Sequence, residues 1–387
     1  MDICLSICNP IGNARSNTTS LSKRIGRLGG EKMIEGGFFI LLNVVFNVGI
    51  YLILSLSLNI ETGFTNIPQF GRLTAALAGS IAAGGIIGRV AAILAGQPIG
   101  DEFIKANTHV ISEVNNYLFA NPLVSILLLI LALITSILLG ALIGLLTALP
   151  ALRLKEAYLG ITLLSFGEIL RTFTYNYEPI IGGTLGVLTP SFLGFTGDYE
   201  TITLLLFVVI MAMLCFAIAE RISKSPLGRV MRAVRDSELA IQVYGRSVMR
   251  IKIYAIVIGS AMAALAGALY SIFTKTSRAD VFTRYSWTFL PWAYIMLGGV
   301  GNNLGVALGV IVMSIARSMI SIYKHEISSY LFNIDATWLE YILMGLVIIL
   351  ITMFRPQGML PEKPVFTLPR DRIEEARKRS LKERASS

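Results

Sequence analysis

The sequence has few charged residues, few cysteines and few histidines, and each shortage excludes a class of protein. Only 15% of the 387 residues are charged and 54% are apolar, whereas about a quarter of the residues in a typical soluble domain are charged. The three cysteines, Cys4, Cys8 and Cys215, form no CxxC pair, so neither a disulfide framework nor a zinc site is indicated. The two histidines, His109 and His325, lie in no HExxH motif and offer little material for a metal site or a catalytic triad. The sequence therefore predicts no cofactor and argues against a membrane enzyme.

The apolar residues occur in blocks of about 20, which is the length that a helix needs to cross the hydrocarbon core of a bilayer. Five uninterrupted blocks predict spanning helices at Phe38–Asn59, Leu123–Leu149, Ile202–Ala219, Ile253–Phe273 and Leu339–Phe354. A sixth block, Leu73–Gly96, is long enough to cross although Arg89 and several glycines make it less uniform. We expect an all-α polytopic integral membrane protein embedded in a lipid bilayer.

Two further regions are apolar but broken, and they predict interrupted helices. Ala157–Tyr175 carries Glu168 and Arg171, and Trp287–Ile320 is divided by a run rich in glycine and asparagine at 297–305. Backbone that leaves helical pairing at membrane depth is tolerated only where protein or a water-lined cavity satisfies it, so such breaks indicate a substrate path. Close helix packing through small residues is an equal alternative for any single glycine. With the interrupted helices included, the sequence predicts about nine crossings.

The positions of the basic residues predict the orientation of the chain. Residues 220–252 contain eight basic and three acidic residues, and residues 355–387 contain nine and five. Because basic loops face the cytoplasm, both segments, and with them the C-terminus, should be cytoplasmic. Counting crossings backwards from residues 220–252 then places the N-terminus outside, although residues 1–36 are themselves net basic.

One hypothesis resolves this conflict at the N-terminus. Residues 1–32 form a polar extension without the apolar region of a signal peptide, and translation would begin at Met33. Peptides from residues 1–27 in the native protein would refute the hypothesis. The predicted organisation is then an extension at 1–32, a transmembrane permease domain at 33–361 and a charged cytoplasmic tail at 362–387.

The segment Ser225–Gly245, between two predicted spans, predicts a helix of five or six turns. Ser225 suits the N-cap, Pro226 suits the first helical position, and Gly245 suits a left-handed residue after the last turn. Apolar residues recur at three- and four-residue spacing, and the charged residues gather on another side. The residues alone slightly favour an interfacial helix that holds anionic lipid.

Four blocks between Phe38 and Pro361 resemble the LivM-type permeases of branched-chain amino acid ABC importers. The chain departs from that family in lacking the spanning helix that usually comes first, and in carrying Arg72 where a histidine is common. Ile241 stands where the family usually has an alanine. The matching blocks are Leu152–Arg171 with Ile181–Gly186 (GEI(L/V)R, then TGGxxG), Ser225–Gly245 (SPxGRAxxAxRDxExAAxxxG), Leu297–Gly309 (LGGxGxxxGxxxG) and Phe354–Leu360 (RPxGLL).

The resemblance implies the permease subunit of an importer for leucine, isoleucine and valine in a prokaryotic cytoplasmic membrane. No GxxxxGK[ST] motif occurs, so a separate ABC ATPase subunit would supply the energy. The other implied partners are a second homologous permease and an extracytoplasmic solute-binding protein, and no nucleic acid. By resemblance, the segment Ser225–Gly245 contacts the ATPase through Arg229, Arg232, Arg235, Asp236, Glu238 and Gly245.

A substrate amino acid presents a carboxylate, which suits the free N–H groups of a broken helix, and an ammonium, which suits carbonyls or a glutamate. Glu168 and Arg171 could instead simply pair with each other, since they are three residues apart on a helix. The alternatives for the whole chain are a permease for urea or short amides and an ion-coupled secondary transporter, although the latter gives no reason for the long basic helix. The candidate substrate-path residues are Asn59, Gly63, Asn66, Glu168, Arg171, Gly182, Gly183, Gly298, Gly299, Asn302 and Asn303.

Overall fold

A computed structural model describes residues 40–151, 154, 156–322, 338, 341–342, 345–346, 349–350, 353–354, 357–362 and 372. The extension 1–32, the hypothesised start at Met33, most of the predicted span Leu339–Phe354 and most of the tail 362–387 lie outside these residues. Within the described part, six helices are long and apolar enough to cross a membrane: Ile40–Gly63, Arg72–Leu94, Pro122–Pro150, Gly194–Lys224, Val248–Thr274 and Asn303–Ile320. The chain is therefore a polytopic helical membrane protein.

The described helices are connected by short loops and by one two-stranded ribbon. The ribbon pairs β1 (Val187–Leu188) with β2 (Thr276–Ser277) in antiparallel fashion, and π-helical turns occur at Asn59–Gly63, Ile81–Ile86 and Tyr285–Phe289. The helices are α1 (Ile40–Gly63), α2 (Arg72–Leu94), α3 (Asp101–Lys105), α4 (Asn107–Ala120), α5 (Pro122–Ala151), α6 (Glu156–Asn176), α7 (Glu178–Ile181), α8 (Glu200–Lys224), α9 (Pro226–Asp236), α10 (Glu238–Val243), α11 (Val248–Thr274), α12 (Leu290–Gly298) and α13 (Asn303–Ile322), with 3₁₀ turns at Gly194–Tyr199 and Ala279–Val281.

Small residues form the centre of the bundle, where α11 packs between α2 and α5. A Cβ atom on Gly79 would lie 1.8 Å from the carbonyl oxygen of Ala264, and one on Gly267 would lie 1.9 Å from that of Ala76. These backbones touch because neither residue has a side chain, which is how helices approach closely in a membrane. Gly79 therefore serves close packing between helices, which was one of the two readings of such a glycine, and does not mark a substrate path.

The ends of α1 and α8 lie beside the starts of α2, α11 and α13, because Glu61 pairs with Arg72, Glu61 contacts Gly259, and Asn303 bonds to both Asn59 and Glu220. The bundle therefore has two ends. One end, here called the basic end, holds the C-terminal turn of α1, the start of α2, α9 and α10, and the turn between α12 and α13. The opposite end, here called the ribbon end, holds the β1–β2 ribbon, where Lys275 Nζ lies 2.6 Å from Glu200 Oε2.

The prediction of an interrupted helix over Ala157–Tyr175 is wrong, because α6 is continuous over its 21 residues. The two charged side chains do not break the backbone, since they pair along the helix surface: Arg171 Nη2 lies 3.0 Å from Glu168 Oε1. The predicted break within Trp287–Ile320 is present, because α12 ends at Gly298 and α13 begins at Asn303.

The prediction of one helix over Ser225–Gly245 is also wrong, because the segment forms two helices, α9 and α10. The ends are as expected: the Ser225 hydroxyl accepts from the Gly228 N–H, and Gly245 has φ +72°. Ser237 is extended (φ −161°, ψ 108°), and its hydroxyl caps α10 by accepting from the Ala240 N–H. A serine followed by Glu238 is an N-terminal signal of its own, and it outweighs the helical periodicity.

Candidate functional site

Glu362, just beyond the last predicted span, joins two arginines of α9. Its Oε1 lies 2.7 Å from Arg232 Nε, and its Oε2 lies 2.7 Å from Arg235 Nη1. All three side chains are largely buried, with 15 to 25% of their surface exposed. Bonds between ionised partners are shorter and stronger than neutral ones, so the carboxylate fixes α9 to the segment 357–362.

The same arginines connect α9 to the end of α1. Arg235 Nη1 also donates to the carbonyl of Gly63 at 2.6 Å, and the Arg232 guanidinium lies over the Phe64 ring, 4.9 Å from its centroid. Arg235 thus holds both the carboxylate of Glu362 and the last turn of α1. A movement of α9 would therefore be transmitted directly to a membrane-spanning helix.

Asn59 and Asn303 extend this network into the bundle. The Asn59 side-chain amide donates to Asn303 Oδ1 at 2.9 Å, and its oxygen accepts from the Gly301 N–H at 2.9 Å. The Asn303 amide donates in turn to Glu220 Oε2 at 3.0 Å. Both asparagines are buried, and together they connect α1, the α12–α13 turn and the end of α8. We call the full set the joint: Asn59, Gly63, Glu220, Arg232, Arg235, Gly301, Asn303 and Glu362.

The glycines of the α12–α13 turn serve close packing and tight turning. A Cβ on Gly298 would lie 2.2 Å from the Gly305 carbonyl oxygen, and Gly299 has φ +119°, a conformation that favours glycine. The Met359 and Leu360 N–H groups donate to the carbonyls of Leu297 and Gly298. The carbonyls freed at the end of α12 are therefore satisfied by the chain itself.

Asn302 binds the same C-terminal segment, since its side-chain amide donates to the carbonyl oxygens of Leu360 (3.2 Å) and Pro361 (3.4 Å). Asn66 has φ +55° and lines a cleft of about 230 Å³ together with Arg235, Asp236 and Glu238. The structure therefore brings the predicted residues of the basic end together with α9, and their polar groups are largely used within the protein.

The other predicted residues are not part of the joint: Glu168 and Arg171 lie on α6, and Gly182 and Gly183 follow α7. Glu168 bridges two arginines, with Arg284 Nε 3.0 Å from its second oxygen. Gly182 follows α7 with φ +73°, where a Cβ would lie 2.5 Å from the Gly186 carbonyl oxygen. Gly183 has φ +58°. The pairing alternative for Glu168 and Arg171 thus matches the observed contacts, and the two glycines form a tight turn.

A buried ion pair beside the joint was missed by the sequence reasoning. Arg72 Nη2 lies 2.8 Å from Glu61 Oε2, and both side chains are fully buried. A Cβ on Gly259 of α11 would lie 2.1 Å from Glu61 Oε1, so this glycine makes room for the carboxylate. The signal in the sequence was the position of Glu61 and Arg72 at the facing edges of two apolar blocks, since a charge at membrane depth requires a partner.

The outward surface of α10 is exposed and apolar. Leu239, Val243 and Tyr244 expose 75%, 87% and 83% of their surface, and α10 has no buried residue. Lys252 Nζ lies 2.6 Å from Glu238 Oε1 and attaches α10 to α11. The predicted contact residues Arg232 and Arg235 face inwards, whereas these three apolar side chains, which the sequence reasoning did not select, face away from the bundle.

Comparison with known proteins matches this chain to one family of transport permeases. Residues 40–352 match the family model described as branched-chain amino acid transport system, permease component. A probable branched-chain amino acid transport permease protein LivM of Methanocaldococcus jannaschii is 43% identical over 324 residues, which is 83% of this chain and 93% of the relative. No solved structure matches this chain.

Two relatives from Escherichia coli are more distant. Its high-affinity branched-chain amino acid transport system permease protein LivM is 29% identical over 245 residues, 56% of this chain and 53% of the relative. Its high-affinity branched-chain amino acid transport system permease protein LivH is 26% identical over 162 residues, 39% of this chain and 51% of the relative.

Proposed function

Because this chain belongs to the family of permease components of branched-chain amino acid ABC transport systems, we propose that it imports these amino acids by coupling α9 and α10 to a separate ATPase. The chain is a transport subunit rather than an enzyme. The observation that carries the proposed coupling is the continuous set of contacts from α9 through Arg235 and Glu362 to α1 and the α12–α13 turn.

The proposed orientation puts the basic end in the cytoplasm of a prokaryotic cell. Residues 220–252, which include α9 and α10, carry eight basic and three acidic residues, and such segments remain on the cytoplasmic side. With α6 and the α12 segment counted as crossings, and Leu339–Phe354 as the last one, the chain crosses the cytoplasmic membrane nine times. The C-terminal tail then lies in the cytoplasm with α10.

The proposed ATPase contact is the apolar surface of Leu239, Val243 and Tyr244. These side chains are exposed on a segment that the orientation places outside the bilayer, and a cluster of large exposed apolar side chains in water marks an interaction site. Arg229, Asp236, Glu238 and Gly245 would lie at the polar rim of the contact. Arg232 and Arg235 would transmit the movement of α9 rather than touch the ATPase.

The other proposed partners are a second homologous permease and an extracytoplasmic solute-binding protein. A transport system in which two similar permeases occur, named LivM and LivH in Escherichia coli, supports the first. The solute-binding protein is supported only by the kind of transport system that the family description names, since importers of this kind receive their solute from a separate protein. Leucine, isoleucine and valine are the proposed solutes.

Copurification tests the proposed ATPase contact. The double variant Leu239→Glu/Tyr244→Glu should recover at least about tenfold less ATPase, because a central apolar contact contributes about 2 kcal/mol. The control is Leu185→Glu at the ribbon end, a side chain that is equally exposed at 86%. Full recovery of ATPase with the double variant would refute the contact surface. A wild-type chain that purifies as a lone homo-oligomer would instead favour an ion-coupled secondary transporter.

A further inference from the structure

A cavity of about 630 Å³ opens in the ribbon half of the bundle, away from the joint. Its walls are the first half of α1, the end of α11, the segment that enters α12, and α13. Because Tyr51 lies eleven residues into α1, at about 1.5 Å per residue, the floor of the cavity lies about halfway through the span. The lining residues are Ile40, Asn43, Asn47, Ile50, Tyr51, Tyr270, Val281, Ser286, Trp287, Tyr294, Ser314, Arg317 and Ser318.

Arg317 is the one charged side chain among these lining residues. It is held in place by Tyr51, whose hydroxyl accepts from Arg317 Nη1 at 2.9 Å and whose ring centroid is 5.8 Å from the guanidinium. An arginine at this depth costs free energy, and charges inside membrane proteins usually mark a pathway for a polar solute. No acidic side chain is among the lining residues that the structure describes, so the positive charge of Arg317 favours an anionic group there.

Ser314 is a second, independent observation that points to a ligand site in the cavity. It lies one helical turn before Arg317 on the same side of α13, it is 2% exposed, and its hydroxyl has no hydrogen-bond partner among the described residues. Leaving a buried hydroxyl unsatisfied costs free energy, and a buried polar group with no partner requires an explanation. A bound acceptor between Ser314 and Arg317 would satisfy it.

The opposite wall of the cavity suits an apolar side chain. Trp287 is 4% exposed and packs edge-on against Tyr270, with ring centroids 5.3 Å apart. Ile50 and Val281 complete an apolar wall, and sites for small molecules typically combine such walls with a few convergent polar groups.

We infer that this cavity is a binding site for the carboxylate of a small apolar amino acid, with Arg317 and Ser314 as the carboxylate ligands. The apolar side chain would face Trp287, Ile50 and Val281, and the ammonium would face the side-chain oxygens of Asn43 and Asn47. The inference rests on the proposed function for the identity of the solute. The cavity is separate from the joint, so the inference and the proposed coupling can be refuted independently of each other.

Direct binding to the purified complex tests the inference. The complex would be reconstituted in phosphatidylcholine nanodiscs without solute-binding protein, and radiolabelled L-leucine binding would be measured against L-leucinamide, which lacks the carboxylate. We expect leucine to bind at least about tenfold more tightly than leucinamide, because the amide loses the charge-assisted bonds to arginine. Equal binding of the two compounds, or no leucine binding, would overturn the inference without any mutation.

Variants then locate the site. Arg317→Gln should weaken leucine binding at least about tenfold, and Arg317→Lys, which keeps the charge, should weaken it less. The control Arg278→Gln, at the ribbon end and paired with Asp280, should leave binding unchanged. Unchanged binding in Arg317→Gln would overturn the site. Anionic phosphatidylglycerol in the nanodiscs tests a lipid headgroup as the occupant, and strong competition by this lipid together with weak binding of leucine would also overturn the inference.

Copurification of the ATPase separates this result from the proposed function. The Arg317→Gln variant should retain the ATPase, since Arg317 lies far along α13 from α9. Loss of leucine binding with the ATPase retained supports the cavity. Loss of the ATPase in the wild-type chain would contradict the proposed function, whatever the result for leucine binding.

Discussion

The joint and the cavity are both polar regions inside an apolar bundle, but they satisfy their polar groups in opposite ways. In the joint, Asn59, Asn303 and Arg235 each bond to another element of the same chain. In the cavity, Ser314 has no hydrogen-bond partner among the described residues, whereas Arg317 donates to the Tyr51 hydroxyl and also lines the cavity. We propose that the joint transmits movement between helices and that the cavity receives a ligand. Polar substitutions should therefore affect stability and coupling in the first region and binding in the second.

The largest effect on stability is expected beside the joint, at the buried ion pair of Glu61 and Arg72. Arg72→Met leaves the Glu61 carboxylate buried without its partner, which should cost about 3–5 kcal/mol and lower the apparent melting temperature in detergent strongly. The matched control is Arg171→Met, whose partner Glu168 keeps a second arginine, with Arg284 Nε 3.0 Å from its other oxygen, and whose loss should therefore cost less. Equal effects of the two variants would contradict the structural role of the pair.

Replacing both members of the pair sharpens this test. The double variant Glu61→Leu/Arg72→Met should recover much of the lost stability, because the desolvation cost of two buried charges disappears with them. If the double variant is less stable than Arg72→Met alone, the pair does not act as a unit.

The next largest effect is expected at Glu362, which joins Arg232 and Arg235. Glu362→Gln removes the charge that both arginines share, and bonds to charged groups contribute about 1.5–3 kcal/mol. Uptake into proteoliposomes should fall about tenfold while the ATPase still copurifies. The control Glu113→Gln, an exposed carboxylate on α4, should leave uptake unchanged, and normal uptake in Glu362→Gln would show that the joint does not transmit movement.

A smaller loss is expected at Asn303, in the buried part of the joint. Asn303→Ala leaves the Asn59 amide and the Glu220 carboxylate without this partner, which should cost about 1–3 kcal/mol of stability. Asn121→Ala is the control, since the Asn121 amide donates to the Tyr117 carbonyl one helical turn away. Thermal unfolding measures the loss of stability in both variants. A larger loss for Asn121→Ala than for Asn303→Ala would contradict this prediction.

The smallest effect on stability is expected at Ser314, in the cavity. Ser314→Ala removes a hydroxyl that has no hydrogen-bond partner in the described structure. The free energy of unfolding, followed by the melting temperature, should therefore change by no more than about 0.5 kcal/mol, which is usual for neutral substitutions. Leucine binding should nevertheless weaken severalfold. A large loss of stability together with unchanged binding would mean that Ser314 belongs to the core rather than to a site.

The sequence was sufficient for the parts of this fold that depend on length and apolarity. Ser225, Pro226 and Gly245 marked the ends of the segment Ser225–Gly245 because caps are local signals. The break at Ser237 was missed because the helical spacing of the apolar residues continues across it. The helix that contains Glu168 and Arg171 was expected to break, but an ion pair along the helix surface neutralises both charges without any change in the backbone.

The site was harder to predict, because its residues meet only after folding. Asn59 and Asn303 are 244 positions apart, and Glu362 pairs with arginines more than 120 positions away. Sequence spacing cannot reveal such contacts. It also could not separate Arg235, which turns inwards to Gly63 and Glu362, from Tyr244, which faces outwards. Arg317 had no motif around it, and only the cavity makes it a candidate ligand.

Parallel measurement of leucine binding and leucine uptake in Glu362→Gln and Arg317→Gln tests the division of roles most directly. Uptake by both variants would be measured in proteoliposomes with the ATPase, the second permease and the solute-binding protein, and binding would be measured in the same assembly without the solute-binding protein. We predict that Glu362→Gln keeps leucine binding in the cavity but loses uptake, and that Arg317→Gln loses binding while the ATPase remains attached. If Glu362→Gln loses binding and Arg317→Gln keeps it, the assignment of coupling to the joint and of solute binding to the cavity is contradicted.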